Sequence, residues 1–143
     1  MNIQSLGHVV IKVRSRERAE KFYSEILGIP MVARFDPGMA FFSLGNHHDF
    51  AVVEVGDDAE PPPAKALGLA HVAFKIGERI EELREAKAHL ESHGIEVKPI
   101  DHEVTQSLYF EDPDGNPLEI YIDASDSWKQ DPSRVAQYRP LDL

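Results

Sequence analysis

Cysteine is absent from this sequence of 143 residues. Disulfide bonds, thiolate metal sites and cysteine nucleophiles are therefore excluded, and with no signal peptide recognised we expect a cytoplasmic location. No apolar run approaches the roughly 20 residues that a membrane-spanning helix needs. Basic residues are also few, 15 against 25 acidic ones, for a formal charge of −10. Because nucleic acids and anionic membranes require clustered Lys and Arg, neither is expected as a partner.

What the sequence does contain is typical of one globular domain. Hydrophobic residues make up 42% of the chain and charged residues 28%. A chain of 143 residues is long enough to bury a proper core. We therefore expect a single domain over residues 1–143. The seven histidines are the one compositional indication of chemistry.

The chain repeats itself, which predicts two similar modules. The strand pattern around His8 returns around His71, 63 positions later (71 − 8). In each copy one strand is followed by an amphipathic helix and three further strands, with helices predicted at 16–27 and 79–92. The modules are expected at about 4–56 and 68–123, with a polar tail at 124–143. The predicted fold class is α+β, with tandem βαβββ modules forming a curved mixed-sheet cleft.

Strand alternation predicts which side chains share a face. His8 and His71 each lie opposite the apolar face of a first strand, and Glu119 lies opposite the apolar face of a last strand. Helices cover the apolar faces, so these three polar side chains are expected to converge on the concave side. Two imidazoles and one carboxylate are the ligand set of non-haem Fe(II) centres that keep coordination positions open.

The stretch from His102 to Glu119 resembles a known signature. The βαβββ repeat, the Gly-His-Val near the start of the first copy and the Asp-Pro-Asp-Gly-Asn turn before the last strand are similar to the vicinal oxygen chelate superfamily. Within that superfamily the chain resembles single-domain type I extradiol ring-cleavage dioxygenases. The signature positions are filled by His102, Leu108, Tyr109, Asp112, Pro113, Gly115 and Glu119.

This resemblance implies a site and a reaction. It implies metal ligation by His8, His71 and Glu119, and catalytic roles for His48, His102 and Tyr109. The implied reaction is cleavage of a catecholic ring next to its diol by O₂, as in aromatic hydrocarbon catabolism, with Fe(II) or else Mn(II). His48 would accept a substrate proton, while His102 and Tyr109 would donate hydrogen bonds. A homodimer is expected, and the sequence leaves open whether one chain or two complete the site.

Two alternatives stay open at this stage. If Glu54 occupies in the first module the place of Glu119 in the second, a four-ligand Ni(II) or Zn(II) site of the glyoxalase I kind is implied. A metal-free binding protein of the bleomycin-resistance kind is the other alternative.

Strand parity places His48 on one face with Phe50, Val52 and Glu54. The predicted pocket-lining residues are Phe41, Phe50, Val52 and Tyr121.

Overall fold

The computed structural model describes all residues, 1–143, and the chain divides into two compact units, residues 1–66 and 67–143. Each unit contains one strand, one helical segment and three further strands in that order. The predicted α+β class and the tandem βαβββ modules are therefore confirmed. The single domain and the cleft stay predictions.

The first unit has a four-stranded mixed sheet in the order β1-β4-β3-β2. Its strands are β1 (Val9–Val13), β2 (Met31–Phe35), β3 (Met39–Phe42) and β4 (Phe50–Glu54). The pair β1 and β4, at one edge of the sheet, is parallel, and the other pairs are antiparallel.

The second unit has a five-stranded sheet in the order β5-β8-β7-β6-β9. Its strands are β5 (Val72–Gly77), β6 (Lys98–Asp101), β7 (Thr105–Glu111), β8 (Pro117–Asp123) and β9 (Arg139–Pro140). The pair β5 and β8 is parallel, as β1 and β4 are in the first unit. The last strand comes from the predicted tail, which also forms 3-10 turns at Ser127–Lys129 and Pro132–Ala136.

The helices begin and end where their terminal residues favour it. Helix α1 (Arg16–Glu20) continues as a π-helical turn over Lys21–Ile26, and the Ser15 side chain accepts a hydrogen bond from the Arg18 N–H at its start. Helix α2 (Ile80–Ser92) ends just before Gly94, whose φ of 73° suits glycine at a helix C-terminus. No helix is both long enough and apolar enough to cross a membrane.

Each sheet has one face covered by its helix. In the first unit the Tyr23 ring, fully buried, packs against Phe42 and Phe50 with ring centroids 5.7 and 4.7 Å away. In the second unit the buried positions of α2 are Leu83 and Leu90. The second sheet contributes these buried apolar residues: Ile100, Leu108, Phe110, Leu118, Ile120 and Ile122.

Candidate metal and catalytic site

The hairpin of β7 and β8 sets the register of the second unit's polar face. Its turn is held by Asp112, whose Oδ1 accepts hydrogen bonds from the N–H groups of Asp114 and Asn116, each at 2.9 Å. Gly115 has a φ of 82°, a conformation that glycine adopts readily. The resulting register places Tyr109 directly opposite Glu119. The predicted Asp-Pro-Asp-Gly-Asn turn is thus present and decides which side chains meet.

Glu119 is a buried carboxylate, 6% exposed, on this polar face. Its Oε1 accepts a hydrogen bond from Ser107 Oγ at 2.5 Å, and its Oε2 lies 3.0 Å from His71 Nε2. The Tyr109 hydroxyl also hydrogen-bonds to Glu119. None of these three partners is a lysine or an arginine. A buried carboxylate without a strong cationic partner is costly, so the site suits a metal ion.

Tyr109 and His102 extend this network. The Tyr109 hydroxyl lies 2.9 Å from His102 Nε2. Burial raises the pKa of the Tyr109 hydroxyl above its ordinary value, and its hydrogen bond to the Glu119 carboxylate raises that pKa further. The hydroxyl therefore stays protonated at neutral pH and acts as a hydrogen-bond donor. The structure brings four of the six predicted site residues together here: His71, His102, Tyr109 and Glu119.

The first unit brings the other two predicted site residues together. The rings of His8 and His48 lie side by side with centroids 4.2 Å apart and planes tilted by 35°, and the Phe41 ring meets His48 edge-on at 5.2 Å. His48 lies in the loop before β4, where Asp49 Oδ2 accepts the Leu44 N–H at 2.6 Å. Partial removal from water lowers the pKa of the His48 imidazole, and repulsion from His8 and His47 lowers it further.

Sequence reasoning missed two residues of these clusters. His47 places a ligand-type nitrogen within 4.8 Å of those of His8 and His48. Its Nδ1 lies 2.8 Å from Asn46 Oδ1. Ser107 is fully buried and hydrogen-bonded to Glu119. Ser107 lies two residues before Tyr109 on the same strand face, and this spacing is the sequence signal that could have identified it as a site residue.

The predicted placement of Phe50 and Val52 in the pocket is wrong. Both side chains are buried on the helix-covered face, and Phe50 packs against Tyr23. The strand begins only at Phe50, so strand parity does not extend back to His48. His48 instead meets Phe41, another of the predicted pocket-lining residues, whose role in a pocket stays a prediction. Tyr121 pairs with Ser107 on the Glu119 face of the second unit.

The placement of Glu54 as the counterpart of Glu119 is also wrong. In the parallel pairs, Val9 is opposite Phe50 and Val72 is opposite Leu118. The last strands of the two units are therefore offset by 68 residues (118 − 50), so Ala51 is the counterpart of Glu119 (119 − 68). Glu54 corresponds to Ile122 (54 + 68) on the helix-covered face.

Contacts of Glu54 agree with that register. Its Oε2 accepts the Arg16 N–H at 2.7 Å, at the start of α1. Glu54 also pairs with Val13, whose side chain lies on the face opposite to that of His8. The structure therefore gives the first unit no carboxylate equivalent to Glu119.

Comparison with known proteins identifies the family of this chain. Residues 5–120 match the family model described as Glyoxalase/Bleomycin resistance protein/Dioxygenase superfamily. The chain belongs to this superfamily. A glyoxalase family protein from Enterococcus faecalis has a solved structure that is 31% identical, with a TM-score of 0.67, covering 85% of this chain and 99% of that one.

Curated superfamily members with similar sequences include two dioxygenases. Catechol-2,3-dioxygenase from Bacillus subtilis is 32% identical over 88% of this chain and 44% of its own length. Biphenyl-2,3-diol 1,2-dioxygenase 2 from Rhodococcus globerulus is 35% identical over 82% of this chain and 62% of its own length. The chain thus spans about half to two thirds of these relatives. Lactoylglutathione lyases and a glutathione transferase also match, so superfamily membership includes several reaction classes.

Proposed function

We propose that this protein is a metal-dependent extradiol-type dioxygenase that cleaves an aromatic diol with O₂. The observation that carries the proposal is the pairing of His71 with the buried carboxylate of Glu119, whose Nε2 and Oε2 atoms are 3.0 Å apart. Tyr109 and His102 adjoin this pair, as the dioxygenase reaction requires of its hydrogen-bonding groups. Similarity to the catechol and biphenyl-diol dioxygenases supports the same reaction class over the shared part of the chain.

The metal ligands we propose are His71 and Glu119 with His8 as the third. His71 Nε2 and Glu119 Oε2 are 3.0 Å apart, so both atoms would hold the same ion. Two imidazoles and one carboxylate suit Fe(II), and Mn(II) is the alternative. When bound, such an ion would polarise the diol oxygens and supply one-electron chemistry with O₂.

The chain's own residues would bind and orient the diol and move its protons. His48, whose ring lies beside that of His8, would accept a proton from a diol hydroxyl. Tyr109 keeps its proton and donates a hydrogen bond to a substrate oxygen, and His102 orients its hydroxyl. Phe41 beside His48 offers an aromatic surface for the substrate ring.

The glyoxalase-type alternative has less support from the structure. Its fourth ligand would be Glu54, yet the register makes Ala51 the counterpart of Glu119, and the Glu54 carboxylate accepts the Arg16 N–H. A metal-free binding protein would leave the buried Glu119 without a cation. Of the three candidate functions, the dioxygenase gives a role to the most contacts of His48, His102, Tyr109 and Glu119. The homodimer and the cytoplasmic location remain predictions.

Anaerobic reconstitution tests the proposal. The purified protein is loaded with Fe(II), its metal content is measured, and O₂ uptake and ring-fission absorbance are followed with a panel of catechols. We expect about one iron per chain and O₂ uptake matched to product. Absence of metal binding after reconstitution would favour a binding protein. Turnover of a hemithioacetal without O₂ uptake would favour a lyase.

A further inference from the structure

The C-terminal segment 124–143, called the strap below, contributes a short strand beside β6 to the second unit's sheet. Its strand β9 pairs antiparallel with β6, with Ile100 opposite Pro140 and Asp101 opposite Arg139. This pairing ends immediately before His102. A two-residue strand stabilises little by itself, so other contacts must hold the strap in place.

Glu103 supplies those contacts. Its carboxylate accepts hydrogen bonds from two strap guanidiniums, that of Arg134 and, at 3.3 Å, that of Arg139. The Glu103 side chain is only 26% exposed, and hydrogen bonds between charged groups are the stronger kind. Glu103 also has a φ of 70°, which strains any residue other than glycine. A strained position that carries a doubly paired carboxylate indicates a role for the side chain.

His102 is the site residue that the strap reaches. The backbone carbonyl of Gln137 lies 2.6 Å from His102 Nδ1. A carbonyl only accepts, so Nδ1 carries a proton in either charge state of the ring. In the neutral ring Nε2 is then an acceptor, and it faces the Tyr109 hydroxyl at 2.9 Å. The hydrogen bond made by one imidazole nitrogen decides which nitrogen is protonated.

We propose that the strap is part of the catalytic site and that Glu103 is a positioning residue, which holds the Gln137 carbonyl on His102 and so fixes the Nδ1–H tautomer of that ring. Released from the strap, His102 would favour the proton on Nε2, as free imidazole side chains in water do. The Tyr109 hydroxyl would then lose Nε2 as an acceptor and keep only the Glu119 carboxylate. The consequence for turnover rests on the proposed function, whereas the tautomer does not.

Long-range ¹H–¹⁵N spectra of the histidine rings test the tautomer without metal or substrate. In the neutral state of the ring, we expect His102 to show a protonated Nδ1 and an unprotonated Nε2. Signals missing from His102→Gln assign the ring. Glu103→Gln should shift the ring toward the Nε2–H form, whereas Arg84→Gln, which removes an exposed pair with Glu81 on α2, should leave it unchanged. A wild-type ring protonated on Nε2 would overturn the proposal.

Glu103→Gly separates positioning from stability. Glycine relieves the strain at φ 70° and offsets part of the loss of the Arg134 and Arg139 pairs, so this variant should unfold at a higher midpoint than Glu103→Gln while still losing the Nδ1–H tautomer. An Nδ1–H ring retained in both Glu103 variants would remove the assigned role of Glu103. In the iron-loaded protein, Glu103→Gln should keep its metal and lower kcat about tenfold with KM within about twofold. If wild-type protein shows no ring cleavage, the proposed function fails and the spectra still decide the strap's role.

Discussion

Single residues decide the chemistry of this chain at two clusters, one in each unit. His71 pairs with the buried Glu119 in the second unit, and the rings of His8 and His48 are neighbours in the first. Removing a metal ligand and removing a proton acceptor have different consequences for the protein. A missing ligand costs the metal itself, whereas a missing base costs only the proton transfer.

The proposed roles of His71 as a metal ligand and His48 as a proton acceptor predict different effects of substitution on metal content and activity. His71→Ala should lose both metal and activity, because the Glu119 carboxylate then lacks its nearest co-ligand. His48→Ala should keep the metal and lower turnover about 100-fold. Metal content and initial rates measured on the same samples check both. His89→Ala, an exposed position on α2, serves as the control and should change neither. Retained iron with full activity in His71→Ala would end the ligand assignment.

Ser107 should tune the metal affinity of Glu119. Ser107→Ala removes the 2.5 Å hydrogen bond that orients this carboxylate, so Fe(II) affinity should fall about tenfold. Competition titration against a metal-binding dye measures the change. Ser24→Ala is the matched control, since the Ser24 hydroxyl is buried with no hydrogen-bond partner and its removal should leave metal affinity unchanged. Equal affinity in the Ser107 and Ser24 variants would contradict the role given to Ser107.

At the scale of elements, one ion pair joins α1 to β2 in the first unit. Arg34 Nε and Nη2 each lie 2.8 Å from a carboxylate oxygen of Glu20. The hydrogen bonds from Arg34 lower the pKa of Glu20 below its ordinary value, and the charges of Arg34 and Arg16 lower it further. Glu20 is mostly covered while Arg34 is half exposed, so solvent screens part of this stabilisation.

Glu20→Gln should therefore destabilise the protein by about 1 kcal/mol at neutral pH. A depressed pKa in the folded state stabilises above the unfolded-state pKa, and this contribution is lost as the pH falls through the folded-state pKa. The wild-type and variant free energies of unfolding should thus converge in acid. Urea unfolding at a series of pH values measures the difference. Glu17→Gln, in an exposed pair with Lys21, should have no measurable effect. A Glu20→Gln difference that persists unchanged in acid would contradict the argument.

For the whole molecule, metal binding and folding are linked. A metal that binds only the folded chain stabilises it by mass action, about 2.7 kcal/mol when free Fe(II) is 100 times its Kd. Fe(II) should therefore slow amide hydrogen exchange in residues 67–143 of the wild type, which contain His71 and Glu119. Glu119→Gln should lose this protection. Unchanged exchange of residues 67–143 in the wild type would contradict the assignment of Glu119.

Much of the fold follows from local pattern. The repeat, the two helices and the strand faces were predictable because amphipathic period, glycine and capping residues act within a few positions along the chain. Strand ends were less predictable: β1 begins at Val9 rather than Leu6, since its partner β4 begins only at Phe50. The tail was predicted as a polar extension, yet it supplies β9.

The sequence by itself determined the two βαβββ modules and the polar faces that carry His71, Tyr109 and Glu119. Only the tertiary structure decided that Ala51, not Glu54, is the counterpart of Glu119, and that the Gln137 carbonyl binds His102. The reason is physical. Periodicity specifies which face a side chain takes, whereas strand register and contacts of backbone carbonyls depend on partners far away in the chain.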